Sequence, residues 1–271
     1  MGRSAIVVLG MHRSGTSSVT GALAMLGAAP PRTLMAPAED NPRGFWESIV
    51  LADFNDRLLA AGGSRWDDPW PFDLAAVPAR EDLAQEAGHL LKAEFGDQSP
   101  IVMKDPRICR LFPFWAEVLG ATGHDVVVVS PLRDPVEVAA SLSSRNGFSQ
   151  REGLRLWLRH VLDAEAASRG RPRIFLPWSD FLADWRTTTG ALGARLALPL
   201  DVPGKDQPHP VDDFLSRDLR HQAASAPSDD PLAVRVWQAL THLARHGEEP
   251  AIHAELDAVR ADFDRKIAAG V

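Results

Sequence analysis

The residues best placed to do chemistry stand in one short turn, Gly10-Met11-His12-Arg13-Ser14-Gly15-Thr16-Ser17-Ser18. Gly10 and Gly15 permit backbone angles that aim successive N–H groups inward. Thr16, Ser17 and Ser18 add hydroxyl donors, and Arg13 brings a planar cation into the turn. Together they form a cradle for a compact tetrahedral oxyanion. The apolar run Ala5–Leu9 in front of the turn fits a buried parallel strand. Ser17–Leu26 behind it reads as a helix with Val19, Leu23 and Leu26 on one face, and the N-terminus of that helix turns its positive end to the same place. A nucleoside triphosphatase loop, Gly-x4-Gly-Lys-Ser/Thr, would need Lys at position 16; this chain has Thr16, and the cation is displaced to Arg13. With that lysine go the β/γ-phosphate contact and the usual Mg²⁺ arrangement.

Three further clusters belong to the same kind of chemistry. Val126–Ser130 is a run of four valines and a serine that reads as a strand, followed by Pro131-Leu132-Arg133-Asp134-Pro135 and, eight residues after Arg133, Ser141. Asp134-Pro135 is an N-cap and first-turn pair that opens a helix to about Ser144. Arg133 then sits at a strand's carboxyl end, where open sheets bind ligands, and Ser141 faces back toward that edge about two helical turns on. The competing reading of Arg133 is an ion pair with Asp134 or Glu137. Lys104-Asp105-Pro106-Arg107 follows the short strand Ile101–Met103 and offers two cations, Lys104 and Arg107, for a leaving phosphate or an acidic acceptor. Asn41-Pro42-Arg43-Gly44-Phe45-Trp46-Glu47-Ser48 opens a helix and carries Glu47, a candidate general base that could instead cap its own helix or pair with Arg43. His12 is the rival base.

These residues need a scaffold, and the chain supplies one. Residues 29–46 read as a loop, Ser48–Ala61 as a helix, 62–79 as an ordered loop holding Trp66, Trp70 and Phe72, and Glu81–Phe95 as a second amphipathic helix. Phe112–Leu119 and Leu154–Ala167 are helical, Arg173–Trp178 is a strand, and Ala233–Arg245 and Ala251–Ile267 are the clear helices of the last third. Strands alternating with helices imply βαβ units and a mostly parallel sheet with a helical C-terminal portion. No internal repeat or linker divides residues 1–271, so one domain is expected. Trp66, Trp70 and Phe72 either line an acceptor groove or plug the core beneath it.

Composition bounds the function. The 271 residues are 45% hydrophobic and 24% charged, which is ordinary globular chemistry and not that of a disordered chain. Cys109 is the single cysteine, so neither an internal disulfide nor a cysteine-based zinc site can form, and no other metal-ligand cluster stands out. The net charge of −7 argues against a nucleic-acid polymer as partner. That charge is unevenly spread: segments 1–60 and 100–160, which hold the clusters, carry 13 basic against 11 acidic residues, and the rest 16 against 25. A small polyanion is therefore compatible with an acidic chain. No apolar run approaches the roughly 18 residues of a membrane span, and no signal-peptide pattern opens the chain, so a cytoplasmic location without integral membrane contact is expected.

The Arg13-Ser14-Gly15-Thr16 turn and the Arg133…Ser141 pair together resemble the sulfotransferase superfamily, whose enzymes use 3′-phosphoadenosine 5′-phosphosulfate (PAPS). The resemblance covers roughly residues 5–221. It implies a three-layer α/β/α fold like that of P-loop NTPases. It implies that His12, Arg13, Ser14, Gly15, Thr16, Ser17 and Ser18 bind the 5′-phosphosulfate and that Arg133 and Ser141 hold the 3′-phosphate. Glu47 resembles the carboxylate base of many carbohydrate and tyrosylprotein sulfotransferases, and Lys-Asp-Pro-Arg segments like that at Lys104 occur in bacterial members. Asp213–His221 resembles a segment late in such relatives, from which Arg220 would close over the nucleotide; the Arg-Lys-Gly loop of the cytosolic members is missing. The implied reaction is in-line transfer of a sulfuryl group to the hydroxyl of a small-molecule or glycan acceptor, catalysed by Arg13, Glu47 and Lys104 without a metal, leaving adenosine 3′,5′-bisphosphate (PAP). The alternatives are a small-molecule kinase on the same loop and a nucleotide-binding module without turnover.

Overall fold

The computed structural model describes residues 2–39, 41–215 and 228–270. Its frame is a four-stranded, all-parallel sheet made of β1 (Arg3–Val8), β2 (Ile101–Lys104), β3 (His124–Leu132) and β4 (Arg173–Pro177), in the order β2-β1-β3-β4. Ala5 in β1 stands opposite Ile101 on one side and Val126 on the other. Ala5 to Val8 are fully buried because helices cover both faces, which is why the strand is a continuous apolar run without alternation.

Odd and even positions of the strands sort into two cores. Ala5, Val7, Met103, Val126 and Val128 pack with α2 (Ile49–Ala61), α3 (Arg80–Phe95) and α4 (Ile108–Ala121). Ile6, Val8, Val102, Val127 and Val129 pack on the opposite face with α1 (Thr16–Met25), α7 (Trp178–Ala183), α8 (Trp185–Leu196) and α9 (Pro210–Phe214). A third apolar cluster joins Leu132 and Phe175 to α5 (Pro135–Asn146), α6 (Gln150–Ser168), α10 (Pro231–His246) and α11 (Pro250–Ala268). The architecture is the expected three-layer α/β/α with a parallel sheet and helices at the C-terminal end. No helix among the described residues is long and apolar enough to cross a membrane.

Local rules explain most boundaries. Ser48 caps α2 by accepting from the Leu51 N–H, and Asp134 caps α5 by accepting from Val136. Helix α6 starts four residues earlier than its apolar stripe because Ser149 and Glu152 form a reciprocal capping box. Helix α4 begins at Ile108, not Phe112: its buried Ile108, Leu111, Phe112 and Trp115 hold one face together despite Pro113, which forgoes a main-chain hydrogen bond. Helices α7 and α8 carry no local signal in the sequence. The TTTG run in α8 is a weak helix former, and the helix is fixed from outside by the Asp184 cap and the burial of Trp185, Leu192 and Leu196.

Candidate active site

The sheet order creates the crevice. The chain leaves β1 for β2 on one side and then returns to β3 on the other, so the turns that follow β1 and β3 open together at the strands' carboxyl ends. In the first turn Arg13 (φ +71°) and Gly15 (φ +85°) are both left-handed. They curl the backbone so that α1 begins at Thr16 with Gly15 as N-cap and no side chain capping it. The helix's first N–H groups are thereby left to the crevice. Gly15 has a second reason to be glycine: a Cβ there would lie 2.6 Å from the indole of Trp178, which seats against the turn. Thr16 is buried, Ser17 and Ser18 are half-buried on the first helical turn, and the buried Ser14 hydroxyl has no hydrogen-bond partner among the described residues.

The second motif meets the first directly. Arg13 Nε donates to Ser141 Oγ at 2.8 Å, and Arg133 Nη1 donates to the Arg13 carbonyl at 3.0 Å. Arg133 Nε also pairs with Glu137 Oε2 at 2.9 Å, both side chains being buried. The Glu137 ion pair foreseen as a competing reading is thus real, and it orients Arg133 toward the turn rather than away from it. Motifs that stand about 120 residues apart in sequence share one hydrogen-bonded unit.

Glu47 and Lys104 form the chemical centre of the crevice. Lys104 Nζ lies 2.5 Å from Glu47 Oε1 and donates at 3.2 Å to Ser17 Oγ, and the ion-paired side chains are only 2% and 5% exposed. Ser17 Oγ donates in turn to the Phe45 carbonyl at 3.1 Å and accepts from Asn41 Nδ2 at 3.3 Å, so its one donor and two acceptor positions are all used. Left-handed Gly44 (φ +85°) and Trp46 (φ +58°) bend the 41–48 segment so that Glu47 turns inward. Glu47 neither caps α2, which Ser48 does, nor pairs with Arg43, whose Nη1 donates to the carbonyls of Asp213 and Phe214. Burial pushes the Glu47 carboxyl above its ordinary range, with Lys104 pulling it back and Asp105 adding to the rise. Arg107 is held by Asp105 Oδ1 at 3.0 Å and Asp56 Oδ1 at 2.6 Å, which leaves Lys104 as the cation of its cluster that faces the cradle. Asp105 is itself fixed by Asn55 Nδ2 at 2.9 Å, and Asn55 by the Trp115 indole at 2.7 Å.

His12 stands at the side of the turn, its ring edge-on to Trp66 with centroids 4.8 Å apart. Burial first, with the charges of Arg107, Lys104 and Arg145 acting in the same direction, holds its imidazole well below the ordinary value, so it is neutral at pH 7. His160 in α6 is fully buried, with Nδ1 on the Leu156 carbonyl at 2.8 Å, and burial with Arg110 nearby pushes it down to about 3. Folded His160 therefore stays neutral where the unfolded chain takes up a proton, near pH 6.5. The unfolded state binds more protons between those values, so stability falls as pH drops from about 6.5 toward 3, by up to about 1.4 kcal/mol per pH unit, with His12 acting in the same direction. Denaturant midpoints measured at pH 7 and pH 5 should show this loss, and His160→Asn should flatten the slope; an unchanged slope would remove His160 from the account.

Arg220 lies outside the described residues. Two contributors were not read from the sequence. Trp178 carries no motif and follows the strand like any core residue, and Arg145 stands in the last turn of α5 with its guanidinium over the Phe45 ring at 5.6 Å. Among the described residues no three His, Cys, Asp or Glu side chains gather as a metal site would need.

No family model matches the chain, and no curated protein matches it in sequence. Its fold does have solved counterparts. The sulfotransferase domain of the olefin synthase of Synechococcus PCC 7002 superposes with a TM-score of 0.52 at 12% identity, over 88% of this chain and 94% of that one. The sulfotransferase domain of the curacin biosynthetic pathway aligns over 96% of this chain and 97% of its own, at 16% identity and a TM-score of 0.45. The parallel sheet, the two helical layers and the match to the olefin synthase domain over 88% of this chain give it the α/β fold of the sulfotransferases.

Proposed function

We propose that the chain transfers a sulfuryl group from PAPS to an acceptor hydroxyl. The observation that carries this reading is the buried Glu47–Lys104 pair resting on Ser17, a hydroxyl of the cradle's own helix. A carboxylate, a cation and an oxyanion cradle are thereby held within one set of hydrogen bonds. Sulfuryl transfer needs these three: a base for the acceptor hydroxyl, a cation for the departing phosphate and a site for a compact anion.

The residues fit the donor. The uncapped N-terminus of α1, Arg13 and the unpartnered Ser14 hydroxyl provide donors for the 5′-phosphosulfate. Arg133 and Ser141, already tied to Arg13, are the group for the 3′-phosphate. Bound PAPS supplies an activated sulfuryl group on a phosphate leaving group. Glu47 takes the proton of the attacking hydroxyl, and its raised affinity for that proton brings it closer to the working pH of a general base. As Glu47 loses its charge, Lys104 is released from its partner to stabilise negative charge at the leaving phosphate. Trp178, flat against Gly15, and the main-chain bond from Arg133 keep the cradle from rearranging between turnovers.

The test is conversion of PAPS to PAP, followed by chromatography in EDTA with a panel of alcohols. Acceptor-dependent PAP formation that is lost in Arg13→Ala is the expected result. ATP consumption with the same alcohols, and none of PAPS, would replace this reading with a kinase.

A further inference from the structure

A cavity of about 360 Å³ lies between the start of α4, the later half of α6, α11 and the loop residues Pro71 and Phe72. None of its lining residues belongs to the 10–18 turn, the 41–48 segment, Lys104, Arg133 or Ser141. Its size falls among small-molecule sites, which run from about 300 to 1,000 Å³. The lining divides by chemistry. Arg110, Arg159 and Arg260 stand with Asp163 and Asp264, three cations against two carboxylates. Phe72, Pro113 and Ala166 add apolar surface.

The two carboxylates are already taken. Asp163 Oδ1 accepts from Arg260 Nη1 at 3.0 Å and from Arg159 Nη1 at 3.2 Å, and Asp264 pairs with Arg159 Nη2. Arg159 Nε is spent on the Pro69 carbonyl at 2.8 Å. Arg110 is the cation left over. Its Nη1 donates to Ser64 Oγ at 3.1 Å and the Arg65 carbonyl at 2.7 Å, and its Nη2 to the Trp70 carbonyl at 2.7 Å, all neutral acceptors. Its Nε is buried and has no hydrogen-bond partner among the described residues; Asp163 Oδ2, at 3.9 Å, is too far for one. Burial holds this guanidinium below its ordinary value, Asp163 and Asp68 restore part of the fall, and Arg159 deepens it. Asp68 is itself occupied by the Ser64 hydroxyl and the Trp70 N–H.

A buried cation whose charge is met only by neutral groups is costly, and an anion beside it would offset that cost. The two aspartates limit the incoming charge to a single one. The apolar lining and the volume exceed what a bare inorganic ion would fill. We propose that this cavity binds a small organic carboxylate, with its charge toward Arg110 Nε and Arg260 and its apolar body against Phe72 and Ala166. The site is separate from the crevice and does not depend on the reaction proposed for it.

Calorimetric titration of the whole chain with benzoate, and with benzyl alcohol as its neutral counterpart, tests the site. Benzoate should saturate one site, and benzyl alcohol should bind at least about tenfold more weakly. Arg260→Met, at a side chain 25% exposed, should weaken benzoate about tenfold. Ala166→Leu fills the cavity from α6 without removing a charge, should weaken benzoate as much, and keeps the test if the Arg260 variant does not fold. Arg13→Gly should leave benzoate affinity unchanged. No saturable binding, equal binding of the alcohol, or an affinity unmoved by both cavity substitutions would overturn the site. Loss of binding in Arg13→Gly would put the anion in the cradle and overturn it as well.

Discussion

Glu47→Gln is expected to lower kcat by about 10²- to 10⁴-fold, the range that a positioned general base supplies, while PAP affinity stays within about twofold. The substitution keeps shape and a carbonyl oxygen for Lys104 but removes the charge that accepts the acceptor's proton. It also strands Lys104, 3% exposed, without a counter-charge. Breaking a buried pair from one side costs about 3–5 kcal/mol, so stability should fall with activity. The double substitution Glu47→Gln with Lys104→Met separates the two effects: stability should recover and turnover should not. In the unaltered protein, kcat should fall on the acid side at a pH above the ordinary glutamate value, because burial raises Glu47 and the base works only when ionised. Full activity in Glu47→Gln would remove it from the chemistry and bring His12 forward.

Arg13→Ala should abolish measurable turnover, a loss of about 10³-fold or more, and weaken PAP strongly, because a charge-assisted donor aimed at a transferring group is among the largest single contributions a side chain makes. Three features of Arg13 bear on the variant: its charge in the cradle, its bond to Ser141, and its carbonyl's bond from Arg133. The last belongs to the backbone and survives substitution. Its left-handed φ of +71° costs about 1–2 kcal/mol of backbone strain for any residue with a Cβ, so arginine and alanine share it and only glycine is spared. Arg13→Ala leaves that strain as it is, and Arg13→Gly relieves it. Turnover lost equally in the glycine and alanine variants, with stability kept in the glycine one, assigns the effect to the guanidinium. Arg13→Lys should fall between, keeping charge and losing the planar fork. A glycine variant with normal turnover would show that the cradle works by its backbone alone.

What could be read in advance divides along physical lines. Local signals were legible: two glycines with an arginine between them after an apolar run, a valine strand ending in Arg133, the Asp134-Pro135 cap. Each depends on a few neighbouring residues, and each stands where expected. Pairings across the chain were not legible. Nothing in the sequence says that Lys104 and not Arg107 turns to the crevice, because that choice is made by Asp105 and Asp56 taking Arg107. Nor does it say that Glu47 pairs with Lys104, a consequence of the bends at Gly44 and Trp46 and of β2 lying next to β1. Helices α7 and α8 were hidden by low propensity and are made by tertiary burial. The sequence alone leaves the Trp66 loop open between groove and core. Its anchorage by Arg110 and Arg159 from two other helices is information that a local pattern cannot hold.

One titration tests the central claim most directly. Thermal unfolding is followed in EDTA as PAP is added, beside a series with Mg-ATP, for the unaltered protein and for Arg13→Gly. The account predicts that PAP raises Tm without metal, that Arg13→Gly abolishes the rise, and that Mg-ATP does little. A rise with Mg-ATP alone, or with PAP in a manner indifferent to Arg13, would contradict it.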